Sequence, residues 1–410
     1  MVSNTFEFVG NIVPCKETEK FHPYETAKFP NSDWGKKSIK FNMVCGNNRH
    51  LVESSALFNT VAPNQMKIYT YSKGSINADG TRVKGEPLQI NFNDRHKTDV
   101  IANVAEYKKF IVDTEIPFRR KKLETVIDKF KEGTVTDDVM EELGVHSLEE
   151  CEKAYEESNS KRHEFISEYD FVDYLHLFVN NEEFKKMKFK VIGNYDLEYD
   201  AKNDKWYRHL NVHKIYRQPD DAEIISHVTF GVVFGRECID KSDFDETKKA
   251  HANIYISQYI QKFHAPFFSP LRLTIDGNGD DKSYKKACGF MKILDFPDTC
   301  DCDYREVGLV CKLLNGAQEV ELTEDMLTDE QRENIEFGLT TLEDIKRELG
   351  KPVYGDRVTD IVIEKLVKGY SKGAQDTIFA EKDFGKPHDK DVINNDLDDE
   401  DNIFDEDIDI

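Results

Sequence analysis

The length and composition of the chain exclude a single ordinary domain. With 410 residues, of which 39% are hydrophobic and 33% charged, we expect two or three domains with packed cores. No apolar run approaches the roughly 18 to 20 residues of a membrane-spanning helix, and the N-terminus lacks the pattern of a signal peptide, so we expect a cytoplasmic protein. The net charge of −23 disfavours a nucleic-acid partner unless Lys and Arg cluster locally.

Residues 1–120 have the pattern of short strands separated by turns. Apolar stretches predict strands over residues 6–13, 38–44, 67–71 and 88–92, with Gly and Pro between them. Five short strands that close on themselves are the size of an OB barrel. We therefore predict an N-terminal OB-like β-barrel domain over residues 1–120.

Residues 121–186 have helical periodicity. Ser147 followed three residues later by Glu150 is a capping signal. One helical face is formed by residues at positions i, i+3, i+4 and i+7, namely Phe171, Tyr174, Leu175 and Phe178. Such a face most often packs against a sheet, so we interpret this segment as a helical connector and not as a site.

The strand pattern returns at residue 188 and predicts a second OB-like β domain with short helices over residues 187–370. Strands are predicted at 224–234, 252–259, 271–275, 307–314 and 357–367, and a helix at about 328–349. The run Val191-Ile192-Gly193-Asn194 resembles Phe8-Val9-Gly10-Asn11, and each precedes a loop with Trp and a basic residue. This similarity suggests two barrels of one kind. The predicted fold class is therefore mainly β with α insertions (α+β), with two OB-like β-barrels joined by the helical connector. Residues 185–217 also carry nine basic groups against four acids.

Residues 371–410 are predicted to be disordered because they contain few apolar side chains. Residues 391–410 carry ten acids and no Lys or Arg, which leaves −13 for the rest of the chain. An acidic tail often serves only solubility. Here apolar residues interrupt the acidic run, which favours a peptide that docks on partner proteins, with the contact residues Phe404, Asp405, Asp407, Ile408 and Ile410.

The combination of aromatic and basic residues indicates a binding surface for single-stranded nucleic acid, which needs cations for phosphates and aromatic faces for unpaired bases. The only two Trp residues each lie beside basic residues. The candidate contacts are Trp34, Lys36, Lys37, Lys40, Arg49, His50, Tyr69, Tyr71, Arg95, Lys190, Tyr195, Trp206, Tyr207, Arg208, Tyr216 and Arg217. The alternative interpretation is that the aromatics are core residues and the lysines form a solvated face.

A resemblance to a known family supports this interpretation. The runs Phe8-Val9-Gly10-Asn11, Phe29-Pro30-Asn31-Ser32-Asp33-Trp34, Lys40-Phe41-Asn42 and Arg49-His50, with residues 188–217 and the acidic end, resemble single-stranded DNA-binding proteins of tailed bacteriophages that infect low-GC Gram-positive bacteria. The tail is similar to that of bacterial single-stranded DNA-binding proteins but ends in Ile408-Asp409-Ile410 and not in Pro-Phe. The resemblance implies non-sequence-specific DNA binding in replication or recombination, with replication proteins recruited by the tail.

The sequence contains no motif that indicates catalysis. No Gly-rich phosphate loop followed by Lys-Ser or Lys-Thr occurs, and no carboxylate pair stands out. The eight scattered cysteines predict reduced thiols, and Cys300, Cys302 and Cys311 lack the spacing of a zinc site, although metal binding by them stays open. We expect no enzymatic activity, cofactor or small-molecule substrate. The alternatives are a phage structural or assembly protein and a metal-dependent nuclease.

Overall fold

The computed structural model describes residues 2–77, 81–200, 202–260, 265–297, 300–320, 327–349, 353–370 and 373–377. Within these residues the chain is mainly β with several helices, which confirms the predicted α+β class. None of the helices described is long and apolar enough to cross a membrane.

In the described part of the chain, the strands form one large sheet of fifteen strands and two small sheets of two strands each, β5 with β8 and β6 with β7. The strands are β1 Thr5–Pro14, β2 Tyr24–Lys28, β3 Trp34–Cys45, β4 Asn48–Asn59, β5 Lys67–Tyr71, β6 Ser75–Ile76, β7 Arg82–Val83, β8 Pro87–Asn91, β9 Phe110–Asp113, β10 Arg162–Phe165, β11 Lys188–Asp200, β12 Lys205–Arg217, β13 Ile225–Gly235, β14 Ile239–Asp240, β15 Lys249–Ile260, β16 Ala265–Asp276, β17 Tyr304–Val320, β18 Val353–Leu366 and β19 Gln375–Thr377. The helices are α1 Thr98–Asn103, α2 Pro117–Glu132, α3 Asp137–Leu143, α4 Leu148–Ser160, α5 Glu168–Val179, α6 Phe244–Thr247, α7 Asp281–Ile293, α8 Asp329–Glu336 and α9 Leu342–Leu349.

Five strands of the large sheet form a closed circuit of pairings, which we call the first circuit. β1 pairs with β3, β3 with β4, β4 with β12, β12 with β11, and β11 returns to β1. All these pairings are antiparallel except β4 with β12. Numbered along the chain, the five strands therefore follow the spatial order 1-2-3-5-4. Because β11 and β12 lie beyond residue 187, this circuit crosses the predicted domain boundary, and the domain division itself stays a prediction.

The repeated run at residues 8–11 and 191–194 marks two neighbouring strands and not the first strands of two barrels. Phe8 on β1 lies opposite Val191 on β11. Both glycines lie where another backbone comes close: a Cβ on Gly10 would lie 2.1 Å from the carbonyl oxygen of Val44, and one on Gly193 would lie 1.9 Å from that of Asn211. The similarity therefore reflects tight strand contacts within one circuit.

A second circuit has the same spatial order. β13 pairs with β15, β15 with β16, β16 with β18, β18 with β17, and β17 returns to β13. Again only the pairing of the third strand with the fifth, β16 with β18, is parallel. The connection between the third and fourth strands contains helical structure in both circuits: it includes α1 to α5 in the first circuit and α7 in the second. The predicted apolar face of α5 is confirmed, since Phe171, Leu175 and Phe178 are buried in the main core.

The two circuits are joined through paired strands and a buried polar contact. β1 pairs with β13. At the junction, Nε2 of buried His50 lies 2.7 Å from Oγ of Ser226, whose hydroxyl donates to the carbonyl of Leu313 at 2.6 Å. Burial lowers the pKa of His50 to about 3, and Arg208 adds to the effect. Because the Ser226 proton is used on Leu313, Nε2 of His50 must be the donor to Ser226.

Three local expectations need correction. The predicted helix at 328–349 is two helices, because Gly338 adopts a φ of +68° after α8. Within the segment predicted to be disordered, Gln375–Thr377 form strand β19 against β17. Cys300 and Cys302 are joined by a disulfide and are not reduced thiols.

Candidate nucleic-acid interface

Trp34 lies at the first position of β3, after the long connection from β1. The turn before it contains Asn31 with a φ of +55°, a conformation that Asn tolerates better than most residues. Oγ of Ser32 accepts a hydrogen bond from the backbone N–H of Trp34 at 3.1 Å. The indole is 44% exposed, so its ring is accessible to a stacking partner.

Trp206 lies in the hairpin between β11 and β12, also in the first circuit. Its ring centroid is 5.0 Å from that of Tyr199 on the opposite strand. The turn is held by the Asp200 carboxylate, which accepts from the N–H of Lys202 at 2.9 Å and from the Asn203 amide at 2.7 Å. Trp206 is half-buried. The two tryptophans therefore lie near the starts of two strands of one circuit and not in two separate circuits.

The face of β3 and β4 that carries Trp34 is mostly polar. Lys36 lies opposite Leu57 in the strand register, and Lys40 lies opposite Glu53. Because side chains alternate along a strand, these residues share the face of Trp34. Leu57 is 59% exposed. Sequence reasoning missed Leu57, since an apolar residue in a strand predicts core, and the only signal is its position among outward-facing polar residues.

A charged network crosses this face from β4 to β11. Nδ1 of His209 lies 2.5 Å from Glu53, and Nε2 lies 3.2 Å from Glu198. Burial alone would lower the pKa of His209, but the hydrogen bonds to both carboxylates outweigh it and raise the pKa to about 9. Glu198 keeps a lowered pKa because of the same hydrogen bond. The face therefore carries carboxylates beside its cations and is not uniformly positive.

Three predicted contact residues are buried and cannot lie on this surface. Lys37 points inward, where its ammonium lies 2.9 Å from Asp173 and 3.5 Å from the ring centroid of Tyr169. His50 belongs to the junction of the circuits. Tyr195 is buried edge-on against Phe230, with ring centroids 4.8 Å apart. The sequence pattern could not distinguish these positions because both faces of the strands contain polar residues.

Other predicted cations are engaged by carboxylates. Nζ of Lys40 lies 4.0 Å from Glu53, Nε of Arg95 lies 2.6 Å from Asp170, and Nζ of Lys190 lies 2.7 Å from Glu7. Arg49 is exposed on β4. Four further predicted DNA contacts on β12 are half-buried, namely Tyr207, Arg208, Tyr216 and Arg217. Burial raises the pKa of Tyr216 to about 12.

Tyr69 and Tyr71 lie outside the circuit, on the small sheet of β5 and β8. They are exposed by 77% and 39%. The predicted tail contacts, Phe404, Asp405, Asp407, Ile408 and Ile410, lie outside the described residues.

One group of side chains in the described residues has the spacing of a metal site. The sulfurs of Cys300 and Cys302 and a carboxylate oxygen of Asp376 lie within 4.8 Å of one another. The disulfide occupies both sulfurs, and a disulfide sulfur is not a thiolate ligand. Cys311 is not in this group and is a buried free cysteine on β17.

The comparisons with known proteins do not identify a family. No protein-family model matches the chain, and no curated protein matches its sequence. Among solved structures, the chain is similar to a deletion mutant of the single-stranded DNA binding protein from Thermus aquaticus, with 6% identity and a TM-score of 0.26. That match covers 76% of this chain and 86% of the other.

Proposed function

We propose that the two circuits are OB-type barrels and that the chain binds single-stranded DNA with little sequence preference. OB barrels have five strands, and they bind oligonucleotides on the face of the second and third strands and on the loops that join strands 1 to 2 and 4 to 5. In the first circuit the second and third strands are β3 and β4. We accordingly assign the first barrel to β1, β3, β4, β11 and β12.

The placement of the two tryptophans is the observation on which this proposal depends. Trp34 is the first residue of the second strand, directly after the connection from the first, and Trp206 is the second residue of the fifth strand, just after the connection from the fourth. The exposed Leu57 and the half-buried Lys36 lie on the face of the second and third strands. A strand of DNA on this face could stack bases on the rings while its phosphates approach Lys36.

Titration with oligo-dT tests the proposal. Binding should quench tryptophan fluorescence, and the affinity should fall as salt is raised. Because base stacking is worth about 1 to 3 kcal/mol, Trp34→Ala should weaken binding by about 5-fold to about 100-fold, while Trp206 remains as the reporter.

The matched control for this titration is Phe118→Ala. Phe118 is 71% exposed and lies on α2, which is not part of the first circuit. This variant should bind like the wild type. Unchanged fluorescence on adding oligo-dT at low salt, or equal affinities of Trp34→Ala and Phe118→Ala, would refute the assignment.

The wider role is also a proposal. The sequence resemblance favours a phage protein that acts in DNA replication or recombination in the host cytoplasm, by binding and without a catalytic step. We infer that the acidic residues 391–410 recruit partner proteins, because apolar side chains within an acidic run suit basic, apolar pockets. The tail could also compete with DNA for the cations of the barrel.

A further inference from the structure

Three exposed tyrosines lie outside both circuits, and two of them flank one lysine. Tyr69 and Tyr71 lie on the same face of β5, and Tyr107 is 66% exposed in the short turn before β9. Nζ of Lys108 lies 5.4 Å from the ring centroid of Tyr71 and 5.8 Å from that of Tyr107. We call Tyr69, Tyr71, Tyr107 and Lys108 the tyrosine platform.

Backbone hydrogen bonds hold the two segments of the platform together. The N–H of Ala105 donates to the carbonyl of Tyr71 at 2.8 Å, and the N–H of Lys73 donates to that of Asn103 at 2.8 Å. The small sheet turns its other face inward, where Thr70 is buried. The tyrosines are therefore presented outward by a defined backbone and not by a loose loop.

The platform is attached directly to the first circuit. Nζ of Lys214, on β12, donates to the carbonyl of Glu106 at 3.0 Å. β9, which follows the platform in the chain, pairs in parallel with β12. A single strand that leaves the fifth strand of the first circuit would meet the tyrosine platform without crossing to the second circuit.

The charge of this part of the chain suits a polyanion. Residues 60–109 contain eight Lys and Arg against five Asp and Glu, in a chain whose net charge is −23. Lys73, Lys84 and Lys108 make no ion pair within the described residues. Exposed aromatic rings beside cations are the combination that binds unpaired bases and their phosphates.

We propose that the tyrosine platform is a second stacking site for unpaired bases, continuous with the interface on the first circuit. This proposal rests on the proposed function and adds a consequence to it. Oligonucleotides short enough to fit the first interface should not use the platform, whereas longer ones should. Sequence reasoning selected Tyr69 and Tyr71 but not Tyr107 and Lys108, because nothing local to residues 105–108 indicates that they lie beside β5.

The test is a length series of oligo-dT, from about 6 to about 30 nucleotides, since one OB fold covers roughly 4 to 16 nucleotides. Tyr69→Ala/Tyr107→Ala should bind the shortest ligand like the wild type and the longest at least about 5-fold more weakly. Tyr69→Phe/Tyr107→Phe is the matched control, because it keeps the rings and removes only the hydroxyls, and it should bind every length like the wild type. Tyrosine nitration read by mass spectrometry should show that long oligo-dT protects Tyr107 in the wild-type chain.

The outcomes separate the two proposals. If the wild type binds oligo-dT of every length and the alanine variant binds each length equally well, the platform proposal alone is overturned. Full nitration of Tyr107 in the presence of long oligo-dT would also overturn it. Loss of binding to the shortest ligand in the alanine variant would show one undivided site and would also overturn it. No binding of any length by the wild type would overturn both proposals.

Discussion

His50 should make the stability of the fold depend on pH in a way that one substitution removes. The imidazole is buried at the junction of the circuits, and its pKa is lowered from 6.5 to about 3. In the unfolded chain the ring takes up a proton below pH 6.5, whereas in the folded chain it stays neutral. The stability that the neutral ring contributes is therefore present above pH 6.5 and is lost progressively as the pH falls toward 3.

The magnitude follows from linkage. One pKa unit corresponds to about 1.4 kcal/mol, so lowering the pH from 7 to 5 should remove about 2 kcal/mol through His50 alone. At pH 5 the His50 ring of the folded chain is still neutral, so the free energy of unfolding lost through His50 depends almost entirely on protonation of the unfolded chain. His213, whose pKa is also lowered by burial, to about 4, contributes in the same pH range in both chains, so the difference between the wild type and a His50 variant is the quantity that isolates His50.

The assay is urea unfolding at pH 7, 6 and 5 for the wild type and His50→Gln. Glutamine keeps an amide donor that could reach Ser226 but has no titrating group. The variant should be less stable at pH 7, because it loses the ring stacked 4.4 Å from Phe8, and the difference from the wild type should shrink by about 2 kcal/mol at pH 5. The free energies are comparable only if fluorescence and circular dichroism give one transition.

His146→Gln is the control for this experiment, since His146 is exposed before α4. This variant should unfold at pH 7 like the wild type, which would show that exchanging an exposed histidine for glutamine does not itself change the urea transition. A difference between wild type and His50→Gln that stays constant from pH 7 to 5 would refute the assignment of His50 as a buried neutral ring.

Two further predictions concern the first interface and the tail. His209 should titrate with a pKa of about 9 by NMR. Its contribution to stability is therefore complete below pH 6.5 and is lost as the pH rises through about 9. Glu198→Gln should lower the pKa of His209, and an unchanged pKa would contradict the hydrogen bond between the two side chains. Deleting residues 391–410 should preserve or tighten oligo-dT binding while abolishing capture of replication proteins, and weaker DNA binding would contradict the view of the tail as a competitor.

The strands themselves could be predicted from local pattern. The apolar stretch at residues 67–71 coincides with β5, and the stretch at 6–13 lies within β1. Local pattern predicts that a segment is extended, because alternation depends on the side chains of that segment alone. It does not predict the partner of a strand. For this reason residues 188–217 were expected to begin a second barrel, whereas their backbone hydrogen bonds complete the first circuit.

The candidate site was predictable in type but only partly in position. Trp34 is exposed as the turn-like sequence before it suggests. Lys37 has the same local context as Lys36 but points inward, because successive side chains of a strand face opposite sides. Its partner, Asp173, is 136 residues away on α5, and no spacing rule connects two positions so far apart in the chain.

The ion pairs around the first interface change the expected balance between phosphate binding and stacking. Four of the eight Lys and Arg predicted to contact DNA are already paired with carboxylates. A cation that exchanges a carboxylate for a phosphate gains little, because the protein must then solvate the carboxylate. Lys37 is buried and cannot reach DNA, so at most seven of the eight could contact phosphates. Since each phosphate contact on a single strand contributes about 0.7 to the slope of log K against log salt, four contacts predict a slope of about −3, and seven would predict about −5. A shallow slope would leave base stacking to supply most of the binding free energy, whereas a slope of about −5 would mean that the ion pairs of Lys40, Arg95 and Lys190 open when DNA binds.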